Sequence, residues 1–391
     1  MDTQNTPIHI RLWHRDFWLL ALANLVLSTV VYMQLSTLAN AISADGGDGL
    51  SNIAQGAIVG VYGLGIFILG PYCHYLVQRF PRKRVCQFAI VAMALISVLM
   101  HFVTAKLASY PLFITGVVGM FWFGAFFGLA QMVLSSTLVI DVTESTQRTE
   151  ANYASAWFRR FGIAIGPILT ILCPVHCIIE PVCIYFYIAS LVLLFFVHIP
   201  FKTPDDDTRV FGLDRFLMSQ GFVLTITLLP ITVILGMSAS MAFHNVVFFY
   251  QLALGFVIAF LAEKFVFANA DLESEFVSGA FLIIAALLLY LTRSGMPMVE
   301  HLSPCLIGIG SGLIGSRMLL FFIKLAHHCQ RGTAQSSFFL SWEFGFAIGL
   351  FLTGWLVDYK LLDTIGLVLA IAAILVYHFF THPWYMRHKS R

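Results

Sequence analysis

Long apolar runs, separated by short polar stretches, follow one another along the whole chain. A helix needs about 20 apolar residues to cross a hydrocarbon core of about 30 Å, and twelve runs of roughly that length are present. They cover residues 17–42, 52–76, 85–105, 111–140, 153–175, 182–200, 222–244, 246–267, 276–292, 302–325, 334–357 and 364–382. The strands of a membrane barrel need only about ten residues of alternating polarity. The pattern therefore predicts an all-α membrane protein with 12 transmembrane helices.

The composition agrees with this interpretation. Of the 391 residues, 59% are hydrophobic and 11% are charged, and the mean hydropathy is +0.87, whereas about 25% of the residues of a soluble domain are charged. The first run is too long for a cleavable signal peptide, so it is predicted to be the first spanning helix. The seven cysteines cannot all pair within one chain and show no metal-ligand spacing, so neither a metal nor another cofactor is predicted.

Lysines and arginines fall mainly on one side of the predicted membrane. With the N-terminus placed inside, 18 of the 22 lie on the inner side, three lie outside, and Arg317 lies within the tenth run. The positive-inside rule then places both termini in the cytoplasm. We expect a multi-pass protein of the cytoplasmic (inner) membrane of a bacterium.

Two stretches of the chain repeat earlier ones at nearly the same distance. Residues 147–166 read QRTEANYASAWFRRFGIAIG, and residues 330–349, which begin 183 positions later, read QRGTAQSSFFLSWEFGFAIG. Residues 76–85 are matched by residues 261–270, which begin 185 positions later. Chance likeness between apolar helices is the alternative, but it explains the shared Gln-Arg pair poorly. Because a fixed period indicates a repeat architecture, the sequence predicts a duplicated chain.

The period divides the chain into two halves of six helices each. We expect an N-terminal half at residues 1–201, a cytoplasmic linker at 202–220 and a C-terminal half at 221–391. The apolar residues of the linker favour either a short amphipathic helix on the membrane surface or a solvated loop. No other loop is long enough to hold a soluble domain, so a separate nucleotide-binding or catalytic module is not expected.

The loop after the second run resembles the signature of the major facilitator superfamily. Gln78, Arg79, Phe80, Pro81, Arg82 and Lys83 fill its last six places, with His74 in place of the first glycine. The basic residues are present, whereas the acidic residue and both glycines are absent. In the second half, the equivalent loop carries Glu263 and Lys264. The resemblance implies two pseudo-symmetric six-helix bundles, with these loops latching the bundles in one conformation.

Small residues of the repeated segments resemble another element of the superfamily. Gly162, Gly166 and Pro167 are similar to the core of the glycine and proline motif in helix five of its antiporter branches. Gly345 and Gly349 recur at the equivalent places of the second half. Close helix packing through small residues is the role expected for these glycines.

Few charges lie inside the predicted spans, where ionisable groups are costly. Glu343 is the only acidic residue clearly within a run; with a helix starting near Thr333 it lies about 15 Å inside, short of mid-membrane. Arg160 lies at a comparable depth in the other half, and Arg159 adjoins it. Two interpretations stay open: Glu343 forms a fixed ion pair with an arginine, or it binds and releases a proton during transport.

Arg317 and several uncharged residues are candidates for a substrate cavity. A guanidinium group suits a carboxylate or phosphate, although Arg317 could instead snorkel to the cytoplasmic face or pair with Glu343. The uncharged candidates are Asn24, Tyr32, Gln34, Trp122 and Gln131, with His244 and Asn245. Trp122 has lipid contact or helix packing as its alternative.

The leading interpretation is a secondary transporter that moves a small solute by alternating access. An organic anion is one candidate solute, and protons are one candidate coupling ion. We expect a monomer in the lipid bilayer that binds no nucleic acid. The alternatives are a transporter-derived sensor or scaffold without flux, an intramembrane enzyme, or a channel; no Walker loop, HExxH or paired catalytic carboxylates support an enzyme.

Overall fold

Helices account for nearly all of the regular structure in the computed structural model. It describes residues 12–44, 51–104, 109–173, 176–199, 209–267, 271–327, 330–356 and 358–388, and no strand occurs within these ranges. Residues 202–208 of the predicted linker and the charged termini lie outside the described residues. The prediction of an all-α fold is confirmed.

The helices follow the predicted apolar runs closely. In chain order they are α1 (Arg15–Ala44), α2 (Asn52–Gly60), α3 (Tyr62–Gly65), α4 (Gly70–Arg79), α5 (Arg82–Thr104), α6 (Ser109–Val133), α7 (Val139–Asp141), α8 (Arg148–Leu172), α9 (His176–Phe196), α10 (Phe222–Met241), α11 (Val246–Phe265), α12 (Leu272–Arg293), α13 (Pro297–Leu325), α14 (Arg331–Trp355), α15 (Tyr359–Val376) and α16 (His382–His388). A π-helical turn, Leu134–Leu138, joins α6 to α7.

Fewer than twelve helices of the described chain have the length and composition of a membrane span. By length and composition, nine helices of the described chain can cross a membrane, or ten if the bent stretch from α2 to α4 is one span. The two remaining predicted spans correspond to α8, which carries Arg159 and Arg160, and to α9, of which only Val182–Phe196 qualifies as a shorter apolar helix. The count of 12 therefore stays a prediction.

The second predicted run is not one continuous helix. The axis bends by 45° between Asn52–Gly65 and Gly70–Arg79. Pro71 stands in the first turn of α4, where its missing N–H costs no hydrogen bond. Gly70 lies directly under the ring of Phe216, which leaves no room for a side chain. The bend brings the start of α4 against the chain that joins the two halves.

The two repeated segments pack in the same way. In α8, Gly162 lies against the backbone of Ser28 and Gly166 against Thr29, both of α1. In α14, Gly345 lies against Thr232 of α10, and Gly349 against the following turn of that helix. A Cβ at any of these glycines would overlap the neighbouring helix. The structure is thus built from two pseudo-symmetric bundles, as the resemblance implies.

Helices of both halves meet along a central interface. The helix α14 packs on α2 and α3, and α8 packs on α11. Gly56 of α2 and Gly354 of α14 approach so closely that neither can carry a Cβ without displacing the other backbone. The residues considered next lie on α1, α3, α8 and α14, at this interface.

Candidate functional site

Glu343 lies at the middle of its helix. It is twelve residues from each end of α14, Arg331–Trp355, which is about 18 Å at 1.5 Å per residue, and its exposed fraction is 0%. The helix begins at Arg331, two residues before the expected start near Thr333, and the depth of Glu343 in a membrane stays a prediction. A carboxyl group in this position needs polar partners, because burying an unpaired charge is costly.

Two tyrosines of the N-terminal half supply those partners. The hydroxyl of Tyr32 on α1 donates to Glu343 Oε1 at 2.7 Å, and that of Tyr62 at the start of α3 donates to Oε2 at 3.3 Å. Both tyrosines are buried. Among the described residues, the ion pairs do not include Glu343. The carboxyl group of one half is therefore held by hydroxyl groups of the other.

Arg159 of α8 lies near this carboxyl group. Its exposed fraction is 1%, and its guanidinium carbon lies 4.9 Å from the ring centre of Phe339 and 5.7 Å from that of Phe338. It interacts electrostatically with Glu343 and Tyr32. Neither terminal nitrogen of Arg159 has a hydrogen-bond partner among the described residues, although buried polar groups are normally paired.

Arg160 has a different role although it is the next residue. Its Nη1 donates to Ser316 Oγ at 2.5 Å and to the carbonyl of Gly312 at 3.3 Å, both on α13. Its guanidinium group lies 4.8 Å from the ring centre of Trp157 and 5.3 Å from that of Trp342. Arg160 therefore joins the N-terminal half to α13, and among the described residues it forms no ion pair with Glu343.

Arg317 forms an ion pair with Glu275 of α12. Both side chains are buried, at 9% and 5% exposure, so Arg317 neither snorkels to water nor pairs with Glu343. The helix α12 begins at Leu272, before the apolar run predicted from residue 276, so Glu275 lies in its first turn. Glu263 of α11 interacts electrostatically with this pair. An anion-binding role for Arg317 stays a prediction.

The uncharged candidates lie in three different places. Asn24 donates to the carbonyl and the hydroxyl group of Ser155, at 3.0 and 2.9 Å, and Gln131 donates to Asn24 Oδ1 at 2.9 Å. These bonds connect α1, α6 and α8 within the N-terminal half. Gln34 is half-buried. Trp122 is 44% exposed on the outer surface, away from the buried cluster.

Two basic residues of the signature, Arg82 and Lys83, contact their own half. Arg82 forms an ion pair with Asp141 at the end of α7, and Lys83 Nζ donates to the carbonyls of Phe195 and Val197 at 2.9 and 3.1 Å. In this loop and its counterpart, Gln78 and Glu263 are half-buried, whereas Arg79 and Lys264 are exposed. These contacts join α5 to α7 and to the end of α9.

Residues 209–218 of the linker form a loop rather than a helix, and this loop is docked on the bundle through Phe216 while Phe211 and Leu213 stay exposed. Asp214 Oδ1 accepts from the hydroxyl group of Thr333 of α14 at 3.1 Å, and Asp214 Oδ2 lies 2.9 Å from Nδ1 of His74 of α4. Phe216 is 7% exposed and packs over Gly70. The segment therefore contacts both halves. We call the end of the bundle that holds residues 209–218 the linker end, and the opposite end the far end.

Arg215 holds the centre of this segment in an unusual conformation. Its φ is 60°, a left-handed backbone conformation that costs a non-glycine residue roughly 1–2 kcal/mol. Its amide N–H donates to Thr333 Oγ1 at 2.9 Å, and its guanidinium group donates to Thr137 Oγ1, in the π-helical turn, at 2.8 Å. Burial lowers the pKa of Arg215 from its ordinary value, and nearby Arg82 lowers it further, while Asp141 and Asp214 oppose the change. Contacts of residues 209–218 with both halves therefore offset the conformational cost at Arg215.

The far end holds a cavity of about 210 Å³ between the two halves. Its walls come from the ends of α1, α10 and α14 and the start of α2, and His244 is among the lining residues. Asn40 Nδ2 donates to the carbonyl of Phe243 at 3.3 Å across this end. Asn245, a sequence candidate for the cavity, instead caps the start of α11 by accepting from Val247 N at 3.0 Å.

Comparison with solved structures finds this fold in transporters along nearly the whole chain. The protein is similar to a mutant of the nucleoside transporter NupG (TM-score 0.67, 13% identity, covering 94% of this chain and 99% of that chain). It is also similar to the human organic anion transporter MFSD10, or TETRAN (0.69, 13%, 93% and 98%), and to a bacterial homologue of the iron transporter ferroportin in an outward-facing state (0.67, 15%, 94% and 100%). No family model and no curated protein sequence matches the chain. At these identities the likeness shows that the chain shares the fold of these three proteins.

Proposed function

We propose that the protein is a secondary transporter in which two six-helix halves, residues 1–201 and 221–391, move about a central site. The observation that carries this proposal is the position of Glu343. A carboxyl group at the middle of α14 accepts hydrogen bonds from Tyr32 and Tyr62 of the other half. Alternating access separates or rotates such halves around a site near the membrane midplane, so the motion must break or remake these two bonds.

The same geometry supports proton coupling through Glu343. The proton affinity of a carboxyl group depends on its solvation, on the hydrogen bonds it accepts and on nearby charges. In the present state Glu343 is fully buried, bonded to two hydroxyl groups and near Arg159. Movement of the halves changes all three conditions at once. Glu343 can therefore take up a proton on one side of the membrane and release it on the other.

The two ends of the interface differ in a way that fits one state of the cycle. At the linker end, residues 209–218 are bonded to α4, to the π-helical turn and to α14. At the far end, the halves enclose the cavity of about 210 Å³. We assign the linker end to the cytoplasm, in agreement with the positive-inside prediction. Residues 209–218 then close the inner route and must leave one half before it opens.

The test uses purified protein in liposomes. A thermal-shift screen against metabolites first identifies stabilising solutes, and counterflow of the best of them is then measured. We expect saturable counterflow of the unmodified protein, and a changed rate of counterflow in the Tyr32→Phe/Tyr62→Phe double variant because the motion breaks or remakes these two bonds. The matched control is Tyr187→Phe, which removes an equally buried hydroxyl bonded at 3.0 Å to Ser97 within one half. Flux that does not saturate, or failure to move any stabilising solute, contradicts the proposal.

A further inference from the structure

We propose that Arg159 binds the anionic group of the substrate, and that the substrate is an organic monoanion with an apolar body. This inference rests on the proposed transport function and adds the chemical class of the solute. It starts from a contrast among the three arginines that are buried in the described chain, Arg159, Arg160 and Arg317.

Two of these arginines have structural partners of their own. Arg160 is bonded to Ser316 and a backbone carbonyl of α13, and Arg317 is paired with Glu275. Among the described residues, both terminal nitrogens of Arg159 lack a hydrogen-bond partner, whereas Arg160 lacks one at only one of its two terminal nitrogens. A buried guanidinium group without hydrogen bonds is costly, and its planar fork of donors fits a carboxylate, sulfonate or similar group. The geometry thus singles out Arg159 as the cation that can receive an anionic ligand.

Two aromatic rings of the other half lie beside Arg159. Its guanidinium group faces the rings of Phe338 and Phe339 on α14. Tyr32, whose hydroxyl group binds Glu343, makes an edge contact with Phe346 at 5.3 Å. Apolar and aromatic walls with a few placed polar groups are typical of small-molecule sites. A solute bound at Arg159 therefore meets apolar surface from α14 beside its charged group.

The charges of this site limit the solute to one negative charge. Arg159 is the cation that receives the anionic group, Glu343 lies close enough to interact electrostatically with it, and a second anionic group on the solute would have no cation of its own. Binding of one anion neutralises the charge of Arg159 and leaves Glu343 without its compensating cation. Glu343 then takes a proton from water, so one anion and one proton cross together and no net charge moves.

Further buried polar groups extend from this site toward the linker end. Asn152 lies two turns before Arg159 on the same face of α8, and Gln335 lies eight residues before Glu343 on α14. Both side chains are fully buried, and both ends of each amide lack a hydrogen-bond partner among the described residues. Such groups are rarely left unpaired in a helix bundle. They mark a polar route from the site to residues 209–218, which a charged solute requires.

The experiment compares three anions with neutral compounds of the same shape. Purified full-length protein is heated with benzoate, hexanoate or benzenesulfonate, and with benzamide, hexanamide or benzenesulfonamide. We expect at least one anion to raise the unfolding midpoint while its neutral counterpart does not. In Arg159→Gln the concentration for half-maximal shift should rise about tenfold or more, because a charge-assisted bidentate contact is lost. Arg159→Lys should restore part of the effect.

A control variant removes an arginine far from this site. Arg293→Gln, which removes an exposed arginine at the end of α12, should leave the anion response unchanged, and unliganded Arg159→Gln should remain monodisperse with cooperative unfolding. Equal stabilisation by the neutral compounds, or no stabilisation by any of the three anions, overturns the inference. Counterflow of a neutral or cationic solute that the anions do not inhibit also overturns it, yet leaves the transporter function standing. Failure to move any solute contradicts the transporter function itself.

Membrane potential tests the charge balance separately. Uptake of the stabilising anion should follow an imposed pH gradient and should not respond to a potassium diffusion potential set with valinomycin. Uptake driven by the potential alone would show that charge moves, which contradicts a one-to-one passage of anion and proton.

Discussion

Replacing Thr333 with valine should loosen the hold of the linker on α14. The hydroxyl group of Thr333 makes two of the contacts that dock residues 209–218: it accepts from the amide of Arg215 at 2.9 Å and donates to Asp214 Oδ1 at 3.1 Å. Valine keeps the β-branched shape and removes both bonds. The exchange therefore addresses the docking of the linker with little change in packing volume.

The size of the effect follows from the two bonds. A hydrogen bond contributes about 0.5–1.5 kcal/mol net, so the loss of two amounts to about 1–3 kcal/mol. This corresponds to a change of roughly 5- to 150-fold in the ratio of docked to released linker. The strained backbone of Arg215, with φ of 60°, favours release as soon as its amide loses its acceptor.

Spin labels at exposed positions of the linker end report the change. Phe80, which follows α4, and Gln330, which precedes α14, are both exposed, and cysteines placed there in a cysteine-free background accept labels. Electron–electron distance measurements should show a longer and broader distribution in Thr333→Val. Thr364→Val is the control, because the hydroxyl of Thr364 is exposed and bonds only within α15 among the described residues. An unchanged distribution in Thr333→Val would refute the idea that residues 209–218 hold this end closed.

Three further substitutions test the packing and the charges. Gly345→Ala should lower the unfolding midpoint of the solubilised protein, because the added Cβ overlaps α10 and overpacking costs about 1–3 kcal/mol. Gly366→Ala should leave the midpoint unchanged, because its Cβ would make ordinary contacts. Equal losses in the two variants would refute the packing argument. Arg317→Gln should lower the free energy of unfolding by about 3–5 kcal/mol, because it leaves Glu275 unpaired. Adding Glu275→Gln to this variant should recover part of the lost stability. A further, additive loss of stability in chemical denaturation would contradict this expectation. Trp122→Leu should leave counterflow unchanged, since this ring is 44% exposed on the outer surface; a large loss would place Trp122 in the mechanism.

The repeat in the sequence predicts the packing of the bundles unusually well. Gly162 and Gly166 are repeated as Gly345 and Gly349, and the four glycines make equivalent contacts of α8 with α1 and of α14 with α10. A glycine that permits close approach is needed wherever the duplicated helix meets its neighbour. The repeat in the sequence therefore predicts which surfaces of the helices pack together, as well as where the helices begin and end.

The sequence does not predict which side chains contact the buried charged residues. Glu343 is found from the sequence because it is a lone acid in an apolar run, but Tyr62 is not, because nothing in its own run shows how that helix is rotated against α14. Glu275 was missed because its apolar run begins one residue later, although the helix starts at Leu272. The adjacent Arg159 and Arg160 look alike in sequence, and only the neighbouring helices give them different partners.

The docked linker was also beyond sequence reasoning. Its mixture of charged and apolar residues is typical of a surface helix or a loop, and the left-handed conformation of Arg215 runs against the preference of an arginine. The contacts with His74 and Thr333 join residues that are far apart in the chain. Such contacts depend on how the two halves meet, which periodicity within each half does not determine.

Coupling of transport to protons through Glu343 is tested most directly by comparing three proteins in liposomes. Counterflow of the identified solute and its accumulation against a gradient are measured for the unmodified protein, for Glu343→Gln and for Glu300→Gln, which neutralises an exposed acid on α13. We predict that Glu343→Gln keeps counterflow and loses accumulation driven by a pH gradient, while Glu300→Gln keeps both. Undiminished accumulation by Glu343→Gln would contradict the claim, and loss of both activities in a folded protein would make Glu343 a structural or solute-binding residue instead.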